Sequence, residues 1–283
     1  LKVGVLRHFW EEDVTVSPEM IAVVENAAAV LADLGADVAE ARIAPVQDYY
    51  DVKIVIAESE LFNVHRQDLL SKPHDFGTDF LARSLGALLF TGQDYVAAQR
   101  RRRQLIHDMQ PVYEQFDVLL APAATGPAPR LDAHNTANFW RYPNVLTPFN
   151  VTSGPALSVN GGFSGTGLPL GVQLVGRPFD DARILNIGAA LEASLGLKSM
   201  RPDVQSGPVP TEAIPTLPAP VVEISAEDGA RIVAIAAAAG FKLDERLFAL
   251  LGEGAPYAWA MGERLQKNFG YGDEPMNIYQ HVR

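Results

Sequence analysis

A chain of 283 residues with a formal net charge of −11 can bury one large core, with room for a small appendage, and argues against a nucleic-acid partner, because phosphate binding needs a basic face. It contains no cysteine, so neither a disulfide framework nor a thiolate metal site is available. No apolar run reaches the ~18 residues of a membrane span, and no membrane association is expected.

The chain opens at Leu1 directly in a strand, with no signal-peptide pattern. That start suggests the interior of a longer polypeptide or a processed piece of one, and a cytoplasmic location is expected. Residues 2–6, KVGVL, read as a buried strand in which Gly4 lets a neighbour come close. Ser17 reads as an N-cap, with Pro18 at the first helical position and Glu19 in the first turn of a helix that ends near Leu34 and Gly35. Residues 37–43 return as a strand. Strand, helix and strand in this order predict a parallel pairing in an α/β sheet.

Helical periodicity then covers residues 48–68, 75–90 and 94–113. Glu58 reads first as a helix-face or capping carboxylate, with a contact near a pocket as the alternative, and His65 as a packed boundary residue. The run from Arg100 to Arg103 reads as a solvated or salt-bridged helix face. Residues 116–120, FDVLL, form another buried strand that leads into a proline-rich loop ending near Pro129. The stretch 130–142 has no period, a length that suits a substrate entrance.

Residues 143–185 carry the densest pattern, PNVLTPFNVTSGPALSVNGGFSGTGLPLGVQLVGRPFDDARIL. Residues 147–150 close a turn or helix, 156–159 and 170–175 are apolar strands, 161–169 form a glycine-punctuated loop, and 177–181 open a helix. Both strands look too apolar to be solvated on either face, which places them in a sheet covered by helices.

This block resembles the C-terminal half of the amidase signature family. The resemblance rests on Leu146-Thr147-Pro148-Phe149-Asn150, Gly154-Pro155-Ala156-Leu157-Ser158-Val159, Gly162-Phe163, Gly167-Leu168-Pro169, Gly171, Gln173-Leu174-Val175-Gly176 and Pro178-Phe179-Asp180. It spans roughly residues 1–198, with 116–129 resembling a further family segment in which Ala121 replaces the usual threonine. It implies an α/β fold with a mixed, largely parallel central sheet covered by helices on both faces.

Beyond it the composition changes. Six prolines between 202 and 220 read as an extended linker. Then Ser225 and Asp244 cap two helices separated by Gly240. The expected organisation is an amidase part at 1–200, a linker at 201–221 and a small all-α C-terminal unit at 222–283. That unit is too small to stand alone and should dock on its own core or on a neighbour. Its ending, with Asp273-Glu274-Pro275 and Tyr279, resembles the small helical accessory subunits of some family members.

The resemblance implies hydrolysis of a C–N amide bond by a Ser-cis-Ser-Lys mechanism, through an acyl-enzyme and without a cofactor. Such chemistry needs an activated nucleophile, a proton acceptor and oxyanion donors. The family's glycine-serine stretch lies N-terminal to the segment matched, and this chain has no Gly-Gly-Ser-Ser-Gly-Gly run. No catalytic residue can therefore be assigned within the chain. Ser153, Ser158 and Ser164 lack a nucleophile elbow and read as structural. The six histidines show no metal-ligand spacing, and residues 161–171 lack the Lys-Ser/Thr ending of a phosphate loop. Asn150-Val151-Thr152 is formally a glycosylation acceptor inside a packed motif.

What the resemblance does imply is a pocket wall. It points to Tyr142, Asn144, Leu146 and Thr147 as substrate-binding residues, and to Arg83 as similar to an arginine that transamidosome relatives use for a carboxylate. Those relatives place an aspartate near the position of Asn144 to meet an ammonium. A neutral Asn144 thus argues against a free amino acid. The partners expected are a small-molecule amide, an N-terminal complement of the same domain, and further copies in a homo-oligomer. The competing expectation is a catalytically inactive scaffold protein that keeps the fold.

Overall fold

The computed structural model describes residues 1–130, 138–201, 224–265 and 267–268. The strands are β1 (Lys2–Val5), β2 (Asp37–Glu40), β3 (Val118–Pro122), β4 (Ala156–Phe163) and β5 (Pro169–Val175). The helices are α1 (Pro18–Asp33), α2 (Val46–Ser71), α3 (Thr78–Leu85), α4 (Gly92–Asp108), α5 (Gln110–Gln115), α6 (Asn138–Arg141), α7 (Thr147–Thr152), α8 (Asp181–Leu195), α9 (Ala226–Ala238) and α10 (Glu245–Arg264).

The described residues form two compact units. The first holds the sheet with α1, α5, α7, α8, the start of α2 and the end of α4. The second takes α2 from Tyr50, α3, α4 up to Gln104, α6, α9 and α10.

In the first unit the five strands run in the order β2-β1-β3-β5-β4. β2, β1 and β3 pair in parallel, as the strand-helix-strand reading requires, whereas β5 runs antiparallel to both β3 and β4. The sheet is therefore mixed. One face packs Val3, Val5, Leu120, Val172 and Leu174 against Val24, Leu31, Ile184 and Leu191 of α1 and α8. The other packs Leu119, Ala121 and Val175 against Phe9, Val46, Met109 and Phe149. Gly4 fills the close-approach role expected of it, since a Cβ there would stand 2.6 Å from Ala41 Cβ. The Ser17 hydroxyl caps α1 by accepting from Met20 N at 3.2 Å.

Several elements depart from the sequence reading for local reasons. Pro111 has no N–H to donate, and the single helix expected over 94–113 is split into α4 and α5. Phe116 N still bonds to Val112 O, so β3 starts two residues late. The helix expected over 75–90 is interrupted at Gly77, whose extended backbone precedes α3, and its last turn, Gly86–Leu89, tightens to 3₁₀. β4 continues through Gly161 by a bulge in which Asn160 Oδ1 accepts from Gly162 N at 3.2 Å. The larger correction concerns β4 itself. It is an edge strand whose Ala156 and Ser158 are exposed; only its Leu157 and Val159 side meets α8. An apolar run here reports one covered face, not two.

In the second unit α10 packs against α3 and its 3₁₀ turn, against α6 and against α9. Arg264 forms a bidentate pair with Asp51 of α2 at 2.7 and 2.8 Å, and Lys267 reaches Asp94 at 2.7 Å. Burial alone would raise the Asp94 carboxyl, but Lys267 and the Thr91 hydrogen bonds outweigh it and hold the group below its usual range. The two C-terminal helices thus have partners within the chain. From residue 202 on, the linker reading at 201–221 lies outside the described residues, as do 131–137 of the expected entrance loop and Asp273-Glu274-Pro275 with Tyr279.

Asp51 is 3% exposed and draws a counter-charge from Arg264. Arg264→Met should lower unfolding stability by about 2 kcal/mol in urea titration, below the full cost of orphaning a buried charge because the arginine is half exposed. A loss near zero would show that water replaces the pair.

Candidate functional site

The block 143–185 folds as α7 followed by the β4–β5 hairpin. Asn144 begins it with a local turn: its Oδ1 accepts from Leu146 N at 2.9 Å and its carbonyl from Thr147 N at 2.9 Å. The Asn144 residue is exposed, Leu146 is half-buried, and Thr147, the first residue of α7, is buried. Ser153 ends α7 at φ 62° and Phe179 sits at φ 67°, both in the left-handed region that side chains with a Cβ seldom adopt. They line a cleft of about 390 Å³ with Asn150 and Pro155, and the Phe179 ring is 88% exposed at its rim. Ser164 is buried, its hydroxyl 2.9 Å from that of Thr166 and accepting from Leu168 N, which is a structural role.

Among the buried polar side chains of this unit, Gln173 and His8 keep nitrogens that meet no hydrogen-bond partner among the described residues. Gln173 on β5 leaves Nε2 unmatched beside the exposed Ser158, its register partner on β4. His8, just past β1, leaves both ring nitrogens unmatched and packs edge-on against Phe9. Burial pushes the His8 imidazole below its ordinary range and Arg42 adds to that, while Asp13 opposes it.

In the second unit Arg83 and Tyr142 are the residues anticipated from sequence. Tyr142 is exposed and carries the Arg141 guanidinium 5.2 Å from its ring. Arg83 belongs to a larger group. Glu58, 1% exposed, lies 3.4 Å from Lys53 Nζ and 3.6 Å from an Arg83 guanidinium nitrogen. Both cations also lie over one aromatic ring, that of Phe139, at 4.8 and 4.3 Å from its centroid. The Tyr50 hydroxyl donates to Phe139 O. Burial pushes the Lys53 ammonium below its usual range, with Arg83 acting in the same sense and Glu58 against it. Burial and Glu58 raise the Tyr50 phenol.

Of the five anticipated residues, Asn144, Leu146 and Thr147 therefore belong to the first unit, and Arg83 and Tyr142 to the second. Sequence reasoning missed Lys53, Phe139 and Gln173, and read Glu58 first as a helix-face or capping carboxylate, with a contact near a pocket only as the alternative. A signal for Glu58 was available. It falls three and four positions after Val55 and Ile54, on the buried stripe of α2, where an ionised side chain requires a partner.

Two expectations follow. The folded His8 resists a proton that the unfolded chain accepts, so stability is complete above the unfolded value of about 6.5 and declines as pH falls through it. Urea titrations between pH 7 and 5 should show this decline, with a shallower slope in His8→Gln. Glu58→Gln removes the charge that supports the Lys53 ammonium, so the Lys53 titration should move further down, read from its side-chain resonances. An upward move would rule out the assigned coupling.

Comparison with known proteins gives this geometry a context. The family model described as Amidase matches residues 1–185. The chain is 32% identical over 228 residues to a glutamyl-tRNA(Gln) amidotransferase subunit from Synechococcus sp. (strain CC9902), covering 71% of this chain and 46% of that protein. It is 36% identical over 123 residues to a fatty acid amide hydrolase of Medicago truncatula, covering 40% of this chain and 20% of that one. Among solved structures, 6-aminohexanoate cyclic dimer hydrolase complexed with substrate superposes with a TM-score of 0.60 at 26% identity, covering 72% of this chain and 47% of that one. The chain thus spans about half the length of the relatives it matches.

Proposed function

The chain belongs to the amidase signature family, and from that premise we propose that it forms the substrate-facing part of an enzyme that hydrolyses a C–N amide bond. In this reading a serine outside these 283 residues attacks the amide carbonyl carbon. The amine leaves with a proton delivered by the neighbouring serine and lysine, and water then releases the acid from the acyl-enzyme. The observation that carries the reading is the family match over residues 1–185, with the block from Thr147 to Phe179 folded as α7, β4 and β5.

The open edge of β4 and the exposed Ala156 and Ser158 suit a surface that a further part of the amidase domain covers. Asn144, Leu146 and Thr147 of the first unit, and Tyr142 and Arg83 of the second, are the residues we assign to substrate contact. The Arg83 and Lys53 cations favour an amide that also carries an anionic group, and Asn144 offers no charge to an ammonium. A cytoplasmic setting and a homo-oligomeric state accompany this reading.

The test is hydrolysis across a panel of amides by the full polypeptide, or by this chain mixed with its N-terminal complement, together with labelling by a serine-directed fluorophosphonate. We expect turnover and a labelled serine outside residues 1–283. The absence of both turnover and labelling would end the reading. A second reading, an inactive scaffold that retains the fold, is favoured by the lack of a Gly-Gly-Ser-Ser-Gly-Gly run in the chain. A lysine and glycine-serine signature upstream of Leu1 would decide against the scaffold.

A further inference from the structure

The residues after the family match carry a role of their own. α10 occupies Glu245–Arg264, well past residue 185 where the match ends. We propose that α10 is a positioning element for substrate recognition, holding Trp140 so that the adjacent Phe139 presents Arg83 and Lys53.

The physical basis starts at Trp140, which is 2% exposed and anchored by its indole N–H donating to Ala82 O at 3.1 Å. Ala82 immediately precedes Arg83. The indole is confined on two sides by glycines. A Cβ at Gly86 would stand 2.2 Å from its benzene edge, and one at Gly254 of α10 would stand 3.0 Å from Nε1. No residue with a side chain fits at Gly86 without displacing the ring, and even an alanine at Gly254 forces it to give way.

Trp140 meets Phe139 edge-on at 5.3 Å, and the Phe139 ring in turn lies under both cations. The far end of α10 reinforces the arrangement. Arg264 grips Asp51, the residue next to Tyr50, whose hydroxyl binds Phe139 O. Thus α10 touches the group at Trp140 and, through Asp51, beside Tyr50, without itself contacting Arg83 in any interaction identified among the described residues. A shift of α10 at Gly254 moves the indole, then the Phe139 ring, then the cations. That makes Gly254 and Trp140 positioning residues, not catalytic ones.

The substrate side of this inference rests on the amidase reading above; the coupling from α10 to Arg83 does not. The experiment separates them. In the ¹⁵N-labelled chain the Trp140 indole signal, assigned by its loss in Trp140→Phe, and the Arg83 Nε–H signal are followed in Gly254→Ala. Both should shift, while the indole signal of Trp10, in the other unit, stays nearer its place. In the active enzyme, Gly254→Ala should raise KM for an anionic amide about fivefold, with kcat within about twofold of the parent and a neutral amide little affected.

Indole and Arg83 signals that remain in place would overturn the proposal whatever the kinetics. Signals that move with no change in KM would overturn the recognition role. If Gly254→Ala fails to fold, Trp140→Phe carries the same comparison through the Arg83 signal and KM, because it removes the bond to Ala82 and half of the ring system. An inactive parent enzyme would sink the amidase reading alone, leaving the resonance shifts to decide the coupling.

Discussion

A carboxylate that has left water must be neutralised, and the helical unit is arranged around that requirement at Glu58. With 1% of the residue exposed, Glu58 draws Lys53 from its own helix and Arg83 from α3. Those two cations are themselves poorly hydrated, and the π-face of Phe139 supplies part of what water would have given. Trp140, one residue on, occupies a slot that two glycines leave open. Both cations stay partly accessible.

The sheet unit follows a different logic. Its inner strands β1, β3 and β5 are closed on both faces by ordinary apolar packing, with α1 and α8 on one side and a cluster around Phe9 and Phe149 on the other. The two edge strands are not: β2 leaves Asp37, Ala39 and Glu40 exposed. β4 ends the sheet with an exposed serine and alanine on one face, and the neighbouring Gln173 has a buried donor with nothing to meet among the described residues. An edge strand of this kind ordinarily invites another backbone.

The two units bear differently on function. The block that identifies the family holds backbone geometry: a helix start at Thr147, a left-handed cap at Ser153, a hairpin turn with Gly167 at φ 82°, and a strained Phe179. These are features of the backbone, set by local conformation. The charged group on Phe139 is the reverse. It is built from side chains on three separate helices. In our proposal the C-terminal helix, lying past the family match, positions that group.

Elements with local causes are legible in the sequence. Ser17, Ser225 and Asp244 cap helices within three residues of themselves, Gly240 stops α9 by taking φ 88°, and the residues of the block 143–185 resemble the family's pattern position by position. The character of β4 is not, because an apolar strand reads the same whether one of its faces or both are covered. Folding alone settled the pairings that join distant positions. Asp51 and Arg264 are 213 residues apart, and Trp140 and Ala82 are 58 apart. Glu58 could be marked as an acid on a buried stripe, but not matched to Lys53 and Arg83 on Phe139. A hydrogen bond or an ion pair depends on position in space, and sequence determines that position only over the few residues that share a turn.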